Sequence, residues 1–316
     1  MPKNKVQFQK GLSIPEFMEK YGTEEKCEKA LFNARWFFGY KCASCGHDNY
    51  CYIRSRKVYQ CTRCKHQTSV IRNTVFHSTN LPLTKWFLAM YLIVTSKNGI
   101  SALELSRQIG VSYNTAWSIK HKIMQAMVER DSHVKLAGLI TADDTYLGGQ
   151  RKNGKRGRGS ENKQPFIAAV RLSEEGHPRQ VKLTPVQSFT KCEVEKWASE
   201  NLHSKCIIVS DGLSCFNAFA ASSEHKHIKV VMKPDPITGE IPYFTWLSTI
   251  VGNVKSAITG TYRSSRKGYC QRYLAEFQYR LNRRFDLKYI FKSILFTAAY
   301  TAPLSGMLLR KAANYT

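Results

Sequence analysis

Four cysteines form a pattern that is typical of a metal site. Cys42 and Cys45 make one Cys-x-x-Cys pair, Cys61 and Cys64 make a second, and fifteen residues separate the two pairs. Each pair turns the chain tightly enough to direct two thiolates at one ion, and two pairs complete the tetrahedral shell that structural Zn²⁺ prefers. Four unrelated thiols are the alternative. The regular spacing favours a structural zinc ribbon.

Three aspartates form a second candidate site. Asp143 and Asp144 lie inside the apolar run 139–147, and Asp211 directly follows the apolar run 206–210. Both runs are predicted strands. Because neighbouring residues of a strand face opposite sides, one member of the Asp143–Asp144 pair is expected to face the site and the other to face away.

The position of Asp211 at the carboxyl end of its strand is where open α/β sheets bind ligands. Two carboxylates brought together repel each other unless a divalent cation lies between them, and hard oxygen ligands select Mg²⁺ or Mn²⁺. A structural alternative stays open. In it, Asp211 forms a turn before Gly212, and Asp143 or Asp144 caps a strand.

The net charge indicates the partner. The chain has 316 residues and 48 Lys and Arg against 23 Asp and Glu, which gives a net charge of +25. This excess excludes a typical neutral enzyme and favours a nucleic acid. A membrane partner would require a basic amphipathic helix or an apolar anchor, and neither is evident, nor is a signal peptide. We therefore expect a soluble protein of the cytoplasm.

Helical patterns precede and follow the cysteines. Thr23 is expected to cap a helix before the ribbon, and residues 83–97 carry a helical apolar stripe. Ser101 with Glu104 predicts the start of another helix, Gly110 its end, and Ser112 the start of a second helix over 113–124. This is a helix-turn-helix pattern. Its exposed side is predicted to offer to DNA the residues Tyr113, Asn114, Lys120 and Lys122.

The pattern changes to strand-length apolar runs after residue 135. The five predicted strands are 139–147, 166–172, 180–186, 206–210 and 228–232, with a helix over 191–202. This order predicts an α/β domain built on a mixed sheet. The Gly-rich segment 150–163 is predicted to be either a solvated loop or a segment that binds a phosphate backbone. Its basic residues are Arg151, Lys152, Lys155, Arg156 and Arg158.

From about Phe17 to Ala312 the chain resembles a zinc-ribbon insertion-sequence transposase of the ISXO-like branch. That branch belongs to the DDE superfamily, whose nuclease core is ribonuclease-H-like. The resemblance rests on the cysteine pattern and on the segments 74–79, 83–87, 143–149, 210–212 and 273–277, with Arg280 and Asn282. It implies an α/β fold with a ribonuclease-H-like mixed sheet flanked by helices. A zinc ribbon and a helix-turn-helix module precede that sheet.

The resemblance also implies site residues. It places the first two catalytic aspartates at Asp143 and Asp211, and its closing signature is an Asn followed seven residues later by a Lys. The Lys falls on Lys255, whereas Ser248 stands at the Asn position. Serine is a poorer, neutral metal ligand. The residues considered as supporting ligands are Asp144, Asn253 and Glu276, and a surface ion pair is the alternative role of Glu276.

These observations predict four segments and one main function. The segments are an N-terminal helical segment (1–38), the ribbon (39–72), a helix-turn-helix domain (73–134) and a catalytic domain (135–316). The function that the resemblance implies is binding of terminal inverted repeats, followed by Mg²⁺- or Mn²⁺-dependent strand cleavage and transfer, by a dimer or higher assembly on double-stranded DNA. The alternatives are an inactive, domesticated DNA-binding regulator and an RNA-processing nuclease.

Overall fold

The computed structural model describes residues 9–148, 163–221, 225–230, 244–262 and 267–311. Two compact units divide the chain: Met1–Met127 with Arg283–Arg310, and Val128–Asn282 with Lys311–Thr316, as far as the described residues go. The helices are α1 (Ile14–Tyr21), α2 (Glu24–Arg35), α3 (Leu83–Thr95), α4 (Ala102–Ile109), α5 (Tyr113–Ser132), α6 (Lys191–Asn201), α7 (Ala218–Ala221), α8 (Thr245–Tyr262), α9 (Cys270–Asn282), α10 (Ile290–Tyr300) and α11 (Gly306–Arg310). The strands are β1 (Tyr50–Ile53), β2 (Val58–Cys61), β3 (Gln67–Ser69), β4 (Leu139–Leu147), β5 (Gln164–Leu172), β6 (Pro178–Pro185), β7 (Ile207–Ser210) and β8 (Lys226–Lys229).

The first unit contains the four ribbon cysteines and most of the described helices. Strands β1, β2 and β3 form an antiparallel sheet in that order. The predicted cap of α2 is confirmed, because the Thr23 side chain accepts the Lys26 N–H. The predicted turn between α4 and α5 is also confirmed. Ser101 accepts the Glu104 N–H at the start of α4, and Gly110 ends that helix at φ +62°. Helix α5 continues beyond its predicted end, to Ser132.

A cluster of aromatic rings explains why α10 belongs to the first unit. The ring of Phe291 lies 5.3 Å from Phe17, 4.8 Å from Tyr21 and 5.8 Å from Phe87, measured between centroids. Phe17, Phe87 and Phe291 are fully buried. Burying such rings is a large source of stability. The sequence interpretation placed residues 283–310 in the catalytic domain, whereas their contacts place them with the N-terminal helices.

The second unit is built on a five-stranded sheet in the order β6-β5-β4-β7-β8. The β6–β5 and β5–β4 pairs are antiparallel, while β4–β7 and β7–β8 are parallel. This mixed sheet with flanking helices confirms the predicted α/β class. The parallel pair β4–β7 is largely buried, with Ile140, Ala142 and Ile208 fully inaccessible to solvent, as expected for strands with helices on their faces, whereas the edge strand β8 is mostly exposed.

Helix α9 covers the open edge of β6. The Asn282 side chain accepts the Val181 N–H at 2.8 Å and donates to the Val181 carbonyl at 2.9 Å. Gln278 accepts the Leu183 N–H at 2.8 Å. These amide groups replace a neighbouring strand and satisfy backbone groups that an edge strand otherwise leaves exposed.

Candidate functional site

The two Cys-x-x-Cys turns of the ribbon have the same backbone geometry. The Gly46 N–H donates to the Cys42 carbonyl at 2.9 Å, and the Lys65 N–H donates to the Cys61 carbonyl at 3.1 Å. The residue after each pair has a left-handed conformation, with φ +72° at Gly46 and φ +61° at Lys65. The chain therefore forms two equivalent turns that point two thiols each toward one place.

The four thiols fit a tetrahedral zinc ion. The sulfurs of Cys42, Cys45, Cys61 and Cys64 all lie within 4.8 Å of one another. The Cys42–Cys64 and Cys45–Cys61 pairs are 3.5 and 3.6 Å apart. A tetrahedron with metal–sulfur bonds of about 2.3 Å has sulfur–sulfur edges of about 3.8 Å. The ribbon thus holds its ligands close to the geometry that zinc requires.

Two further features suit a metal at this place. Burial disfavours the Cys42 thiolate, but the backbone N–H groups of Cys45 and Ser44 outweigh burial and lower the Cys42 pKa to about 6. The Tyr40 hydroxyl is buried beside the Cys42 sulfur and makes no hydrogen bond of normal geometry with any described residue. Burial and the neighbouring sulfurs of Cys42 and Cys61 raise the pKa of Tyr40 to about 12. A buried hydroxyl without a partner is energetically costly, and a metal-bound thiolate beside it would accept a hydrogen bond from it. Sequence reasoning missed Tyr40.

The sheet register brings two distant aspartates to neighbouring positions. The parallel ladder between β4 and β7 ends at the pair Ala142 and Ser210. Asp143 and Asp211 are the next residue on each strand, so they lie side by side where the ladder stops. A four-residue β7 is enough to set this register, because its residues Ile208 and Val209 are buried in the core.

Three carboxylates meet at this point. One oxygen of each of Asp143, Asp144 and Asp211 lies within 4.8 Å of the others. The expectation that Asp143 and Asp144 face opposite sides is therefore wrong. Beyond Ala142 the strand β4 pairs only with β5, and its free edge leaves room for the Asp144 side chain to turn toward Asp211.

The surroundings of the cluster favour the protonated form of Asp143. Burial, followed by the carboxylates of Asp144 and Asp211, raises the pKa of Asp143 to about 7, although the Asp144 N–H and the Lys255 ammonium act in the opposite direction. Asp211 also holds a turn, because its Oδ1 accepts the Leu213 N–H at 3.1 Å. The turn-forming and site-forming interpretations of Asp211 are thus compatible. Crowded carboxylates of this kind suit a divalent cation.

Helix α8 carries the other predicted site residues. Ser248 and Lys255 are both exposed and lie seven residues apart, about 10 Å along the helix axis and on nearly the same face. The Lys255 charge acts on Asp143. Asn253 is exposed too, but two residues before Lys255 it points about 160° away around the helix. The lysine therefore adjoins the cluster, and Asn253 is directed elsewhere.

Glu276 lies apart from the three aspartates. It is 2% exposed, accepts a hydrogen bond from the Tyr262 hydroxyl and pairs with Arg280 at 2.6 Å. Both of its oxygens are thus engaged inside α8–α9 packing. The structure does not bring Glu276 into the carboxylate cluster, and its ion pair is buried, not on the surface as the alternative expected.

The predicted DNA-facing residues of α5 separate into two groups. Tyr113 and Asn114 are exposed, as expected. The prediction for Lys120 is wrong, because Lys120 is 1% exposed and its ammonium donates to the Ile100 carbonyl. Lys122 is half-buried with its ammonium 5.8 Å from the Trp86 ring centre, and burial lowers its pKa. The predicted loop contacts Arg151, Lys152, Lys155, Arg156 and Arg158 lie outside the described residues.

Two domain families match the chain. The transposase zinc-ribbon domain matches residues 22–67, and the ISXO2-like transposase domain matches residues 135–282. The chain belongs to the zinc-ribbon insertion-sequence transposases. An uncharacterized protein in transposable element ISH50 of Halobacterium salinarum is 24% identical over 218 residues, which cover 63% of this chain and 71% of that protein.

Two solved structures also align with this transposase. They are a pre-cleavage Mos1 transpososome and the Mos1 strand transfer complex, at TM-scores of 0.26 and 0.23 and 9% identity in each case. The alignments cover 67% and 63% of this chain and 78% and 76% of those chains. None of the helices that the structure describes has the length and apolarity that a bilayer crossing requires.

Proposed function

We propose that this transposase binds the terminal inverted repeats of its insertion sequence and catalyses metal-dependent strand cleavage and strand transfer. One observation carries the proposal. The carboxylates of Asp143, Asp144 and Asp211 converge at the end of a buried parallel ladder, within 4.8 Å of one another. Such a cluster is costly to maintain without a function, because burial and the adjacent carboxylates of Asp144 and Asp211 raise the pKa of Asp143.

The residues present fit a divalent cation. Asp143 and Asp211 would hold Mg²⁺ or Mn²⁺, with Asp144 beside them, because hard carboxylate oxygens select these ions. When bound, the metal lowers the pKa of an attacking water or hydroxyl and stabilises the leaving oxygen of a phosphodiester. The exposed Ser248 hydroxyl is a neutral third ligand in this arrangement.

The chain's own residues position the DNA for two displacement steps. Lys255, whose charge already acts on Asp143, contacts the phosphate under attack. In the first step water attacks phosphorus at the element end, the bond to the 3′ oxygen breaks, and a 3′-hydroxyl is released. In the second step that hydroxyl attacks a target phosphodiester, and the target strand leaves with its own 3′-hydroxyl. The first step consumes one phosphodiester bond and one water, and the second step forms one phosphodiester bond for the one that it breaks.

Parts of the chain outside the carboxylate cluster recognise the DNA. The ribbon and the helix pair α4–α5 read the element ends, with Tyr113 and Asn114 at the exposed start of α5. The zinc ion stabilises the ribbon and takes no part in chemistry. Two ends must be paired before transfer, so the active form is a homodimer or a higher assembly on DNA. We place its action in the cytoplasm, at the nucleoid.

The test is an end-cleavage and strand-transfer assay on duplex DNA that carries the ends of the encoding element. We expect Asp143→Asn and Asp211→Asn to lose at least about a thousandfold in cleavage rate, since each removes a carboxylate ligand. Binding of the ends, measured by gel shift, should stay unchanged. Glu195→Gln, an exposed carboxylate of α6 in the same unit, is the matched control. Equal loss of cleavage and binding in both aspartate variants would contradict the assignment.

A second candidate function is a DNA-binding regulator that no longer cleaves. Ser248 favours it, because a neutral hydroxyl stands where the family resemblance places an asparagine. The same assay separates the two functions. A regulator shifts end-containing DNA in the gel but leaves both strands intact with Mg²⁺ and with Mn²⁺.

A further inference from the structure

A surface groove of the first unit is lined with lysines. The groove encloses about 680 Å³ between the start of α1 and the start of α10. Its lysines are Lys10, Lys20, Lys288 and Lys292, here called the lysine groove. All four are exposed. Lys10, Lys20 and Lys288 form neither a salt bridge nor a hydrogen bond among the described residues.

The one carboxylate of the groove does not neutralise it. Glu16 accepts hydrogen bonds from the N–H and the hydroxyl of Ser13, both at 2.9 Å, as part of the α1 capping box. The Ser13 N–H is the main reason that the pKa of Glu16 is lowered, while the charges of Lys20 and Lys288 contribute less. The groove therefore keeps a net positive charge and suits an anion larger than a side chain.

A cluster of exposed aromatic rings lies in the same unit. Phe37, Phe38, Phe296 and Tyr300, here called the aromatic cluster, are 66%, 91%, 38% and 55% exposed. The ring centres of Phe37 and Phe38 are 5.1 Å apart, those of Phe37 and Phe296 are 6.3 Å apart, and those of Phe296 and Tyr300 are 4.6 Å apart. The Tyr300 hydroxyl donates to the Arg35 carbonyl and fixes the end of the cluster. A contiguous apolar surface of this kind marks an interaction site.

Helix α10 joins the lysine groove to the aromatic cluster. Lys292, Phe296 and Tyr300 follow each other at four-residue intervals, so their side chains share one exposed helix face. The distance from Lys292 to Tyr300 along the axis is about 12 Å. This is the reach of about two nucleotides of an extended single strand. Cations at one end and stacked rings at the other are the two components of single-strand DNA binding sites.

We propose that the lysine groove and the aromatic cluster, together the α10 strip, bind an unpaired stretch of DNA at the element end. The lysines contact the phosphates, and bases without a pairing partner stack on the aromatic rings. The inference rests on the proposed function, because it assumes that DNA ends are the ligand. Double-stranded DNA alone would leave the aromatic cluster unused, since its bases are already stacked.

Charge argues for DNA over a second copy of the chain. A symmetric contact through the α10 strip would bring two sets of four unneutralised lysines toward each other. Among the described lining residues of the groove, Glu16 is the one acidic side chain, so a copy offers little to pair with them. Single-stranded DNA matches both parts of the α10 strip, because its phosphates can contact the lysine groove and its unpaired bases can stack on the aromatic cluster.

The test measures binding by fluorescence anisotropy with the full-length, zinc-loaded protein. The probes are a blunt duplex of about 20 base pairs and the same duplex with a 3′ overhang of about eight thymidines. We expect the parent to bind the overhang probe about tenfold more tightly than the blunt probe. The double variant Phe38→Ala/Phe296→Ala should lower that ratio to about one, since each lost stacking contact weakens binding severalfold.

Two controls separate stacking from charge and from folding. Met307→Ala removes another exposed apolar side chain, 64% exposed on α11, and should keep the tenfold ratio. Lys288→Glu/Lys292→Glu should weaken binding of both probes and reduce the slope of log affinity against log salt by about two. The same substitutions at Lys191 and Lys196, exposed on α6, should leave the ratio of the two probes unchanged.

Four results would overturn the inference. The first is a parent that binds both probes equally while cleaving element ends normally, which would leave the proposed function intact. The second is an overhang preference that survives loss of Phe38 and Phe296. The third is a variant whose sedimentation shows a lost dimer with an unchanged probe ratio, which would make the strip a subunit interface. A parent that binds neither probe would contradict the proposed function as well.

Discussion

The four thiols of the ribbon and the three carboxylates of the sheet are two clusters of metal-binding groups with opposite construction. The thiols lie on two local turns within residues 42–64, each closed by its own backbone hydrogen bonds. The carboxylates of Asp143 and Asp211 lie 68 positions apart and meet only because β4 and β7 pair. One site is a consequence of short-range sequence, and the other is a consequence of the fold.

This difference has energetic consequences. A structural metal contributes its binding free energy to folding, because the unfolded chain has no formed site. Three like charges at the end of a stable sheet do the reverse, since they weaken the metal-free fold and are held in place by the core around them. Removing a thiol ligand should therefore unfold the ribbon, whereas removing one carboxylate should stabilise the metal-free fold of the second unit. The predictions below test this contrast, beginning with the largest effect.

Loss of a buried thiol should abolish the ribbon. Cys61 is fully buried, and Cys61→Ser leaves three thiolates, which should cost the ribbon about 5 kcal/mol or more of zinc-dependent stability. We expect the zinc content to fall from one ion per chain to almost none, measured by atomic emission, with rapid proteolysis within residues 39–72. Asp211→Asn is the comparison variant and should keep its zinc. Retention of zinc by Cys61→Ser would contradict the four-thiol site.

Loss of Asp143 should stabilise the zinc-loaded chain when Mg²⁺ and Mn²⁺ are absent. The Asp143 pKa is about 7 in the folded protein and about 3.9 when unfolded. A raised pKa means that the folded state holds its proton longer, so stability falls as pH rises from about 4 to about 7 and is flat above. Asp143→Asn removes this loss, by about 2 kcal/mol at pH 8 if half of the full linkage value is realised.

Thermal unfolding checks that sign. The melting temperature of Asp143→Asn should exceed that of the parent by several degrees at pH 8 and by much less at pH 5. Glu195→Gln, on the exposed face of α6, should show no such difference. An equal shift at both pH values would mean that the charge of Asp143 is not the cause.

The two clusters also differ in how far the sequence predicts them. The ribbon, strand β4 and the turn at Gly110 follow from local spacing, and the structure has them where the sequence places them. Asp144 was misjudged because strand alternation fixes the direction of the Cα–Cβ bond but not the position of the carboxylate oxygens at the end of the side chain, and the edge of β4 is open beyond Ala142.

Lys120 was misjudged for a different reason. Its charge suggested a solvent position, although it lies four residues after Ala116 and three before Ile123, both buried on the inner face of α5. The helical period already placed it inward, where the flexible stem lets its ammonium reach the Ile100 carbonyl. The grouping of α10 with Phe17 and Phe87 depends on long-range packing, which spacing along the chain does not encode.

The Tyr40 hydroxyl should tune the zinc site. Tyr40→Phe removes the buried hydroxyl and keeps the ring, which packs against Trp36 and Tyr50 at 5.2 and 4.8 Å. Because groups that donate to metal ligands contribute to metal affinity, we expect about tenfold weaker zinc binding in a chelator competition. Tyr52→Phe is the matched control, since the Tyr52 hydroxyl donates to Glu28. Equal affinity in the parent and Tyr40→Phe would assign Tyr40 to packing alone.

Ser248 tests whether the carboxylate cluster lacks a ligand. Ser248→Asn introduces an amide oxygen, a better ligand for a hard cation than a hydroxyl, on the exposed face of α8. We expect end cleavage to rise about fivefold, measured as initial rate at limiting Mg²⁺, which corresponds to about 1 kcal/mol. Ser256→Asn, on the same helix and also exposed, should not change the rate. A rate that stays the same in Ser248→Asn would show that another group already fills this place.

The last prediction compares the two turns inside the ribbon. Gly46 and Lys65 occupy equivalent positions with positive φ, and a side chain in this conformation costs about 1 kcal/mol. A Cβ added at Gly46 meets no atom within 4 Å. Gly46→Ala should therefore destabilise the turn only through the unfavourable positive φ and not through a steric clash. Because the ribbon folds around zinc, that cost should appear as about fivefold weaker zinc binding. Lys65→Gly should shift affinity the other way by less, since the added glycine also increases the freedom of the unfolded chain. A much larger loss in Gly46→Ala would mean that the first turn, unlike the second, tolerates no side chain at all.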